Sequence, residues 1–487
     1  GEAVKLKGGN MHHDNGPLGA ATIDRAEERR VQLMKAYGFN AIRTSHNPPS
    51  PQFLDACDRV GVLVMDEAFD MWEKPKNTDD YHLYFKDWWK RDLEAMVLRD
   101  RNHPSVILWS IGNEIPERAD ASGVALANEM IPVVRQLDST RPITAGICNY
   151  WDQPKRPWTD LDPAFAPLDL GGYNYQAGRY VSDHQRFPER VMIGTESYTR
   201  AIYENWQSVK AHPWVIGDFV WTAWDYIGET GCGHAVLDGE NPMVFPWFNA
   251  YCGDIDLCGF KKAGLYSREV VWGDAKINLA VHAPIPEGRR ERVSQWGWPD
   301  ERQSWTWPGS EGKPLDVVVY SSCPSVRLEL NGKPIATNSV NRMTARFKVP
   351  YQPGELRAAG LSEGKTVASA SLRTTGEAAK IRLTADRSTI RADRNDLCYV
   401  TVEVVDDKGN VVPGAANQIH FTVSGAGELA ATGNGAPNDA VSFRLPQRKV
   451  FQGRCLAILR PQGAAGKITL KAEADGLKPV AVVVRTR

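Results

Sequence analysis

The chain has 487 residues, 42% hydrophobic and 24% charged, with a formal net charge of −1. That length allows about two to four domains and a large buried core. The near-zero charge gives nucleic acid or an anionic membrane no electrostatic hold, and no apolar run approaches the ~18 residues of a membrane-spanning helix.

Val4 to Gly9 reads as a strand leading into Asn10-Met-His-His-Asp14. Thr22 to Tyr37 has helical spacing with an acidic first turn, and Gly38 stops it. Phe39 to Arg43 is a second strand, running into Thr44-Ser-His-Asn47 and the breaker Pro48-Pro49. A helix over about 51–60, the strand Val62 to Met65 with Asp66-Glu67 at its end, and a helix over about 84–99 follow.

Val106-Ile-Leu-Trp-Ser-Ile-Gly-Asn-Glu114 is the most informative stretch. Its apolar run is that of a strand buried on both faces, and it breaks off in an amide and a carboxylate ahead of Pro116. A helix over about 122–137, a weak strand at 142–146, a strand at 170–175 and a helix near Asp183 lead to Val191-Met-Ile-Gly-Thr-Glu196. Trp214 to Trp221 is the last of eight strands, and a helix near 262–272 follows. Eight strands alternating with helical patterns predict a (β/α)8 barrel over 1–275.

From about residue 276 the period changes from 3.6 to 2. Residues 276–376 and 377–487 read as two all-β immunoglobulin-like sandwich domains, with Asn331-Gly332 as a hairpin signal. A Trp-, Pro- and Gly-rich packed loop covers 299–314. Neither module offers a convergent catalytic set, which favours support over surface binding.

The eight cysteines do not make a disulfide scaffold. Cys57, Cys148 and Cys398 lie in apolar surroundings, whereas Cys232, Cys252 and Cys258 share a Gly-rich region where a bridge can form. With no CxxC pair a thiolate zinc site is not expected. Sixteen Trp residues, many in the barrel half, suit a carbohydrate cleft, although any single one more commonly fills core.

Glu114 and Glu196, ending the fourth and seventh strands, can face each other across a barrel mouth. Retaining glycoside hydrolysis uses such a pair: one carboxylic acid protonates the leaving oxygen and the other attacks the anomeric carbon, at a separation of roughly 5–5.5 Å. Arg43, at the end of the second strand, can reach Glu196 and keep it ionised, as befits a nucleophile.

Asn40 to Pro48, Arg99 to Glu114, Ile193 to Glu196 and Phe219-Val-Trp-Thr-Ala-Trp-Asp225 resemble the signature segments of glycoside hydrolase family 2. The resemblance covers about residues 1–275, and the tail resembles the sandwich domains appended to many bacterial β-galactosidases of that family. It implies a TIM barrel with Glu114 as acid/base, Glu196 as nucleophile, and Asn113 on the sugar 2-hydroxyl. It also implies that His12 and His46 contact galactose hydroxyls, that Tyr175 hydrogen-bonds the nucleophile, and that Trp221 floors the sugar site. Met71 and Glu73 stand where the best-known β-galactosidases carry magnesium ligands, so neither metal nor cofactor is expected. The family's usual N-terminal domains are missing and the chain opens without Met. It is therefore expected to be part of a longer protein, partnered by those domains or by a second copy. A periplasmic or secreted location rests on the resemblance alone.

The leading expectation is thus a retaining exo-acting β-galactosidase. β-Glucuronidase is the close rival, but that branch uses an Asn-x-Lys pair, and here Asn331-Gly-Lys333 is explained as a turn. β-Mannosidase, a non-catalytic carbohydrate-binding fragment and a metal hydrolase are weaker alternatives.

Overall fold

A computed structural model describes residues 2–151 and 153–487. The chain divides into two compact units, residues up to 13 with 27–223, and residues 14–26 with 224–487.

The first unit is the barrel. Eight parallel strands close in chain order: β1 (Leu6–Met11), β2 (Ala41–Thr44), β3 (Leu63–Glu67), β4 (Val106–Asn113), β5 (Ile143–Ile147), β6 (Leu170–Asn174), β7 (Val191–Tyr198) and β8 (Val215–Trp221). β8 returns to β1 with Leu6 opposite Gly217. The main helices are α1 (Asp24–Ala36), α2 (Pro51–Val60), α3 (His82–Asp100), α4 (Ala121–Leu137), α5 (Asp162–Phe165), α6 (Tyr180–Arg186) and α7 (Ile202–Ala211). Local chemistry fixes their ends. α2 starts where the Ser50 side chain accepts the Phe53 amide at 3.2 Å, with Pro51 as first residue, and stops at Gly61 in the left-handed region. The weak fifth strand is present, but the helix before β6 is only the four residues of α5.

Every barrel strand except β5 gives one residue to an apolar layer, among them Met65, Leu108, Ile193 and Phe219. Side chains alternate along a strand, so residues two or four positions further on also point inward. From Ala41, Met65 and Leu170 this rule reaches Arg43, Glu67 and Asn174, all fully buried. The layer beyond the apolar one is therefore polar, at the carboxyl ends of the strands where such barrels carry their chemistry. Two of the candidate site residues, Asn113 and Glu196, need a further device. The β7 register slips between Gly194 and Ser197 against β8, and β4 slips between Ser110 and Asn113 against β5. Such irregularities re-aim side chains.

The second unit begins with the ribbon β9 (Tyr226–Ile227) and β11 (Asn249–Ala250), with β10 (Ala235–Leu237) between them in sequence, and α8 (Ala263–Trp272). Two four-stranded antiparallel sheets spanning 277–373 enclose a core of Val317, Val319, Leu328 and Trp305. Trp305 belongs to the expected packed loop and is fully buried. Residues 380–486 form a nine-stranded sheet whose two halves meet at Lys380 and Lys478 around Val400, Val402, Ala457 and Leu470. Residues Ile23 and Ala26 pack with Leu397, Tyr399 and Leu456 in the same unit. The Asn331-Gly332 turn is as expected: both residues take positive φ (52° and 76°) between strands ending at Leu330 and starting at Lys333.

Candidate active site

Arg43 organises the polar end of the barrel. Its Nη1 donates to Glu196 Oε1 at 2.8 Å and Asn10 Oδ1 at 3.0 Å, its Nη2 to Glu67 Oε2 at 2.7 Å and Asn113 Oδ1 at 2.9 Å, and its Nε to Glu67 at 2.9 Å. A planar five-donor fork suits this task and a lysine could not span it. Asn174 extends the network, donating to Asn113 Oδ1 and to Glu114 Oε1, both at 3.0 Å. One guanidinium and two amides thus link Glu196 to Glu114. The arrangement depends on the absence of a side chain at Gly146. A Cβ there would lie 2.9 Å from both Arg43 Nη2 and Asn174 Oδ1.

Asn113 is held from every side. Besides those two donors at its oxygen, its Nδ2 donates to Asp70 Oδ1 at 3.0 Å and to His46 Nε2 at 3.2 Å. His46 Nδ1 bonds Glu67 Oε1 at 2.6 Å, and the His46 ring stacks on Trp221 at 5.0 Å and 4°. His12 stands edge-on to Trp221 at 5.4 Å and to His46 at 5.8 Å. Lys76 ties Asp70 (2.6 Å) to the Asn113 carbonyl (2.9 Å).

Glu114 and Tyr175 both sit in the left-handed region, at φ 44° and 58°. A non-glycine residue pays for that conformation, and such residues collect at functional sites. Their amides are anchored across strands, Glu114 to the Gly146 carbonyl at 2.8 Å and Tyr175 to the Glu196 carbonyl at 2.7 Å. The Tyr175 ring stacks on Tyr198 at 4.4 Å and meets the half-exposed Trp151 edge-on at 6.4 Å.

Burial and charge set the protonation behaviour. Burial raises the Glu196 carboxyl above its ordinary range and Glu114 adds to the rise, against the pull of Arg43 and His46. The expected Arg43–Glu196 contact is present, but the net direction is upward: the guanidinium is shared with Glu67, and desolvation outweighs its share. Burial alone would raise Glu67 too, yet Arg43, His46 and Ser110 hold it low. Burial likewise opposes ionisation of Asp70, but His46 and Lys76 bring it down to about 2. His12 is driven well below the usual histidine range by burial and by His46. Burial, Glu114 and Glu196 push the Tyr198 phenol up to about 12, which sets it within electrostatic reach of both glutamates.

The structure therefore brings together His12, Arg43, His46, Asn113, Glu114, Glu196 and Trp221, while Tyr175 touches the Glu196 strand through its backbone. Asn10, Glu67, Asp70, Lys76, Asn174 and Tyr198 had not been singled out. Position was the available signal for most of them: Asn10, Glu67, Asn174 and Tyr198 stand in the carboxyl-terminal halves of their strands. At the third strand, Met71 is buried and Glu73 exposed. Among the described residues the group with metal-ligand spacing is Asp55, Asp58 and His103. There Asp58 bonds His103 Nδ1 at 2.7 Å and the Ser105 amide at 2.9 Å, tying α2 to the loop before β4.

Residues 1–153 match the description "Glycosyl hydrolases family 2, TIM barrel domain", and 381–483 match "Glycoside hydrolase family 2 C-terminal domain 5". The chain belongs to glycoside hydrolase family 2. Residues 312–368 match a domain of unknown function, DUF4982. A β-galactosidase of Bacteroides ovatus is 35% identical over 98% of this chain and 61% of its own length. A β-glucuronidase of Formosa agariphila is 25% identical over 100% of this chain and 48% of its own. A solved family 2 glycosyl hydrolase from Bacteroides cellulosilyticus superposes with a TM-score of 0.93 at 42% identity, covering 100% of this chain and 63% of that one. The chain thus spans 61% of the first of these relatives and less than two thirds of the others.

Proposed function

We propose that this chain carries the catalytic centre of a retaining exo-β-galactosidase, acting by double displacement. The observation that carries the reading is the Arg43–Asn113–Asn174 network, which draws Glu196 and Glu114 from β7 and the end of β4 into one hydrogen-bonded unit. In the first step Glu114 gives a proton to the leaving oxygen while Glu196 attacks the anomeric carbon. In the second, Glu114 takes a proton from water, which releases the sugar from Glu196. Arg43 orients the Glu196 carboxylate. The raised affinity of Glu196 for protons makes its ionised form a stronger nucleophile in the first step, and the Arg43 guanidinium stabilises the carboxylate as it departs in the second. Trp221 and His46 offer a flat apolar wall for the sugar's C–H face, and His12 and Asp70 stand beside it for its hydroxyls.

Charge favours a galactoside over a glucuronide. Among the described residues three cations, Arg30, Arg43 and Lys76, stand in or beside this cluster with four carboxyl groups, Glu67, Asp70, Glu114 and Glu196, and Arg43 and Lys76 are already bonded to carboxylates. A sugar carboxylate would enter a site with no surplus of positive charge. The Asn331 side chain meanwhile serves its own turn, donating to the Pro353 carbonyl and accepting the Glu355 amide.

The test is hydrolysis of nitrophenyl β-galactoside and β-glucuronide, with Glu196→Gln as control. Faster turnover of the galactoside, abolished in the variant, supports the reading. Preference for the glucuronide, or activity that survives in Glu196→Gln, overturns it.

A further inference from the structure

Outside the barrel, Cys232 and Cys252 meet at the foot of a loop. The antiparallel ribbon of β9 and β11 closes the loop, and just beyond it the Tyr251 amide donates to the Cys232 carbonyl at 2.7 Å. The two backbones touch at this point: a Cβ on Gly233 would fall 2.3 Å from both the Cys252 nitrogen and its Cα. The two thiols lie within hydrogen-bonding distance of one another. A disulfide needs Cα atoms about 4.4–6.8 Å apart, and so close an approach of the two backbones suits one. The loop between them gains most from a clamp. It carries Met243, Val244 and Phe245 exposed by 59%, 51% and 80%, an apolar stretch with little packing of its own.

We propose that Cys232 and Cys252 form a disulfide that staples the base of the 233–251 segment. In the reaction one thiolate attacks the disulfide of an oxidising dithiol protein or of a small disulfide such as oxidised glutathione. The first sulfur–sulfur bond forms as the oxidant's bond breaks, releasing one thiolate. The second cysteine, having lost its proton, attacks this mixed disulfide, forms the intramolecular bond and expels the second thiolate. Two protons and two electrons leave the pair, and the oxidant is reduced to two thiols. Cys258, the third cysteine of this region, is not the partner: its Sγ lies against Gly433, 3.0 Å from where a Cβ there would be.

The experiment is alkylation and peptide mapping of the whole chain refolded with oxidised and reduced glutathione, compared with the fully reduced protein. Six of the eight cysteines should take up alkylating reagent, the protein should be lighter by two hydrogens before labelling, and one cross-linked peptide pair should contain Cys232 and Cys252. Limited proteolysis within 239–247 should slow in the oxidised form and return to the reduced rate in Cys232→Ser. Full alkylation of both cysteines after oxidative refolding, or a cross-link joining either to another cysteine, overturns the proposal. Cys252→Ala tests it independently of how Cys232→Ser folds, since it too must lose the cross-link and leave no other in its place.

Discussion

At the scale of single residues the account rests on two carboxyl groups given different work by their surroundings. Glu196 is buried beside a shared guanidinium, and its proton affinity is raised. In the proposed mechanism its ionised form attacks, so the acid limb of kcat/KM should lie above the ~4.3 of an ordinary glutamate. Arg43→Lys keeps a cation but loses the fork, and should move that limb to still higher pH; a limb that stays in place would separate Arg43 from the nucleophile. Glu114→Ala should cost roughly 100-fold or more on substrates with poor leaving groups and far less on nitrophenyl glycosides, because only the former need the proton. Equal losses on both would remove Glu114 from the acid role. Gly146→Ala should lower kcat by crowding Arg43 and Asn174 while the protein still folds, as measured by activity beside circular dichroism. The sequence made these two glutamates and Arg43 legible because they stand at strand ends. It did not reveal Glu67 or Asn174 as partners of Arg43, since the inward alternation can be counted only once each strand's apolar layer is known.

At the scale of elements the barrel was readable because its strands are nearly continuous apolar runs and its helices carry ordinary stop and start signals. The irregularities were not. The slips in β4 and β7 that aim Asn113 and Glu196 arise from pairing with neighbouring strands, which no local pattern encodes. The short α5 illustrates the same limit: Asp162-Pro-Ala-Phe165 has too few residues for a periodic face. Caps, by contrast, are local. Ser50→Ala should destabilise the protein by about 1 kcal/mol through loss of the α2 cap, and urea denaturation measures it. No change in the midpoint would mean that Pro51 alone sets the start of the helix.

At the scale of the whole molecule, buried acids govern the response to pH. Burial raises Asp225 to about 7 and Asp256 to about 6, Lys262 only partly offsetting it, and Glu196 and Asp66 shift in the same direction. A raised folded pKa binds a proton that the unfolded chain has already released, so stability is lost as pH climbs through the folded values. His12, shifted down, works the other way, as do carboxyls held low such as Glu67 and Asp70. The latter lose stability mainly below about pH 5 and leave His12 to oppose four raised carboxyls above it. Thermal stability should therefore rise as pH falls from about 7.5 toward 5, and a melting temperature highest above pH 7 would contradict this. The central claim, that Glu196 receives the sugar from Glu114's side of one pocket, has a more direct test. A β-galactoside fluorinated at the sugar's second carbon slows release of the glycosyl intermediate enough for the labelled protein to be digested and mapped by mass spectrometry. The predicted result is one sugar attached to Glu196; a sugar carried by any other residue would contradict the account.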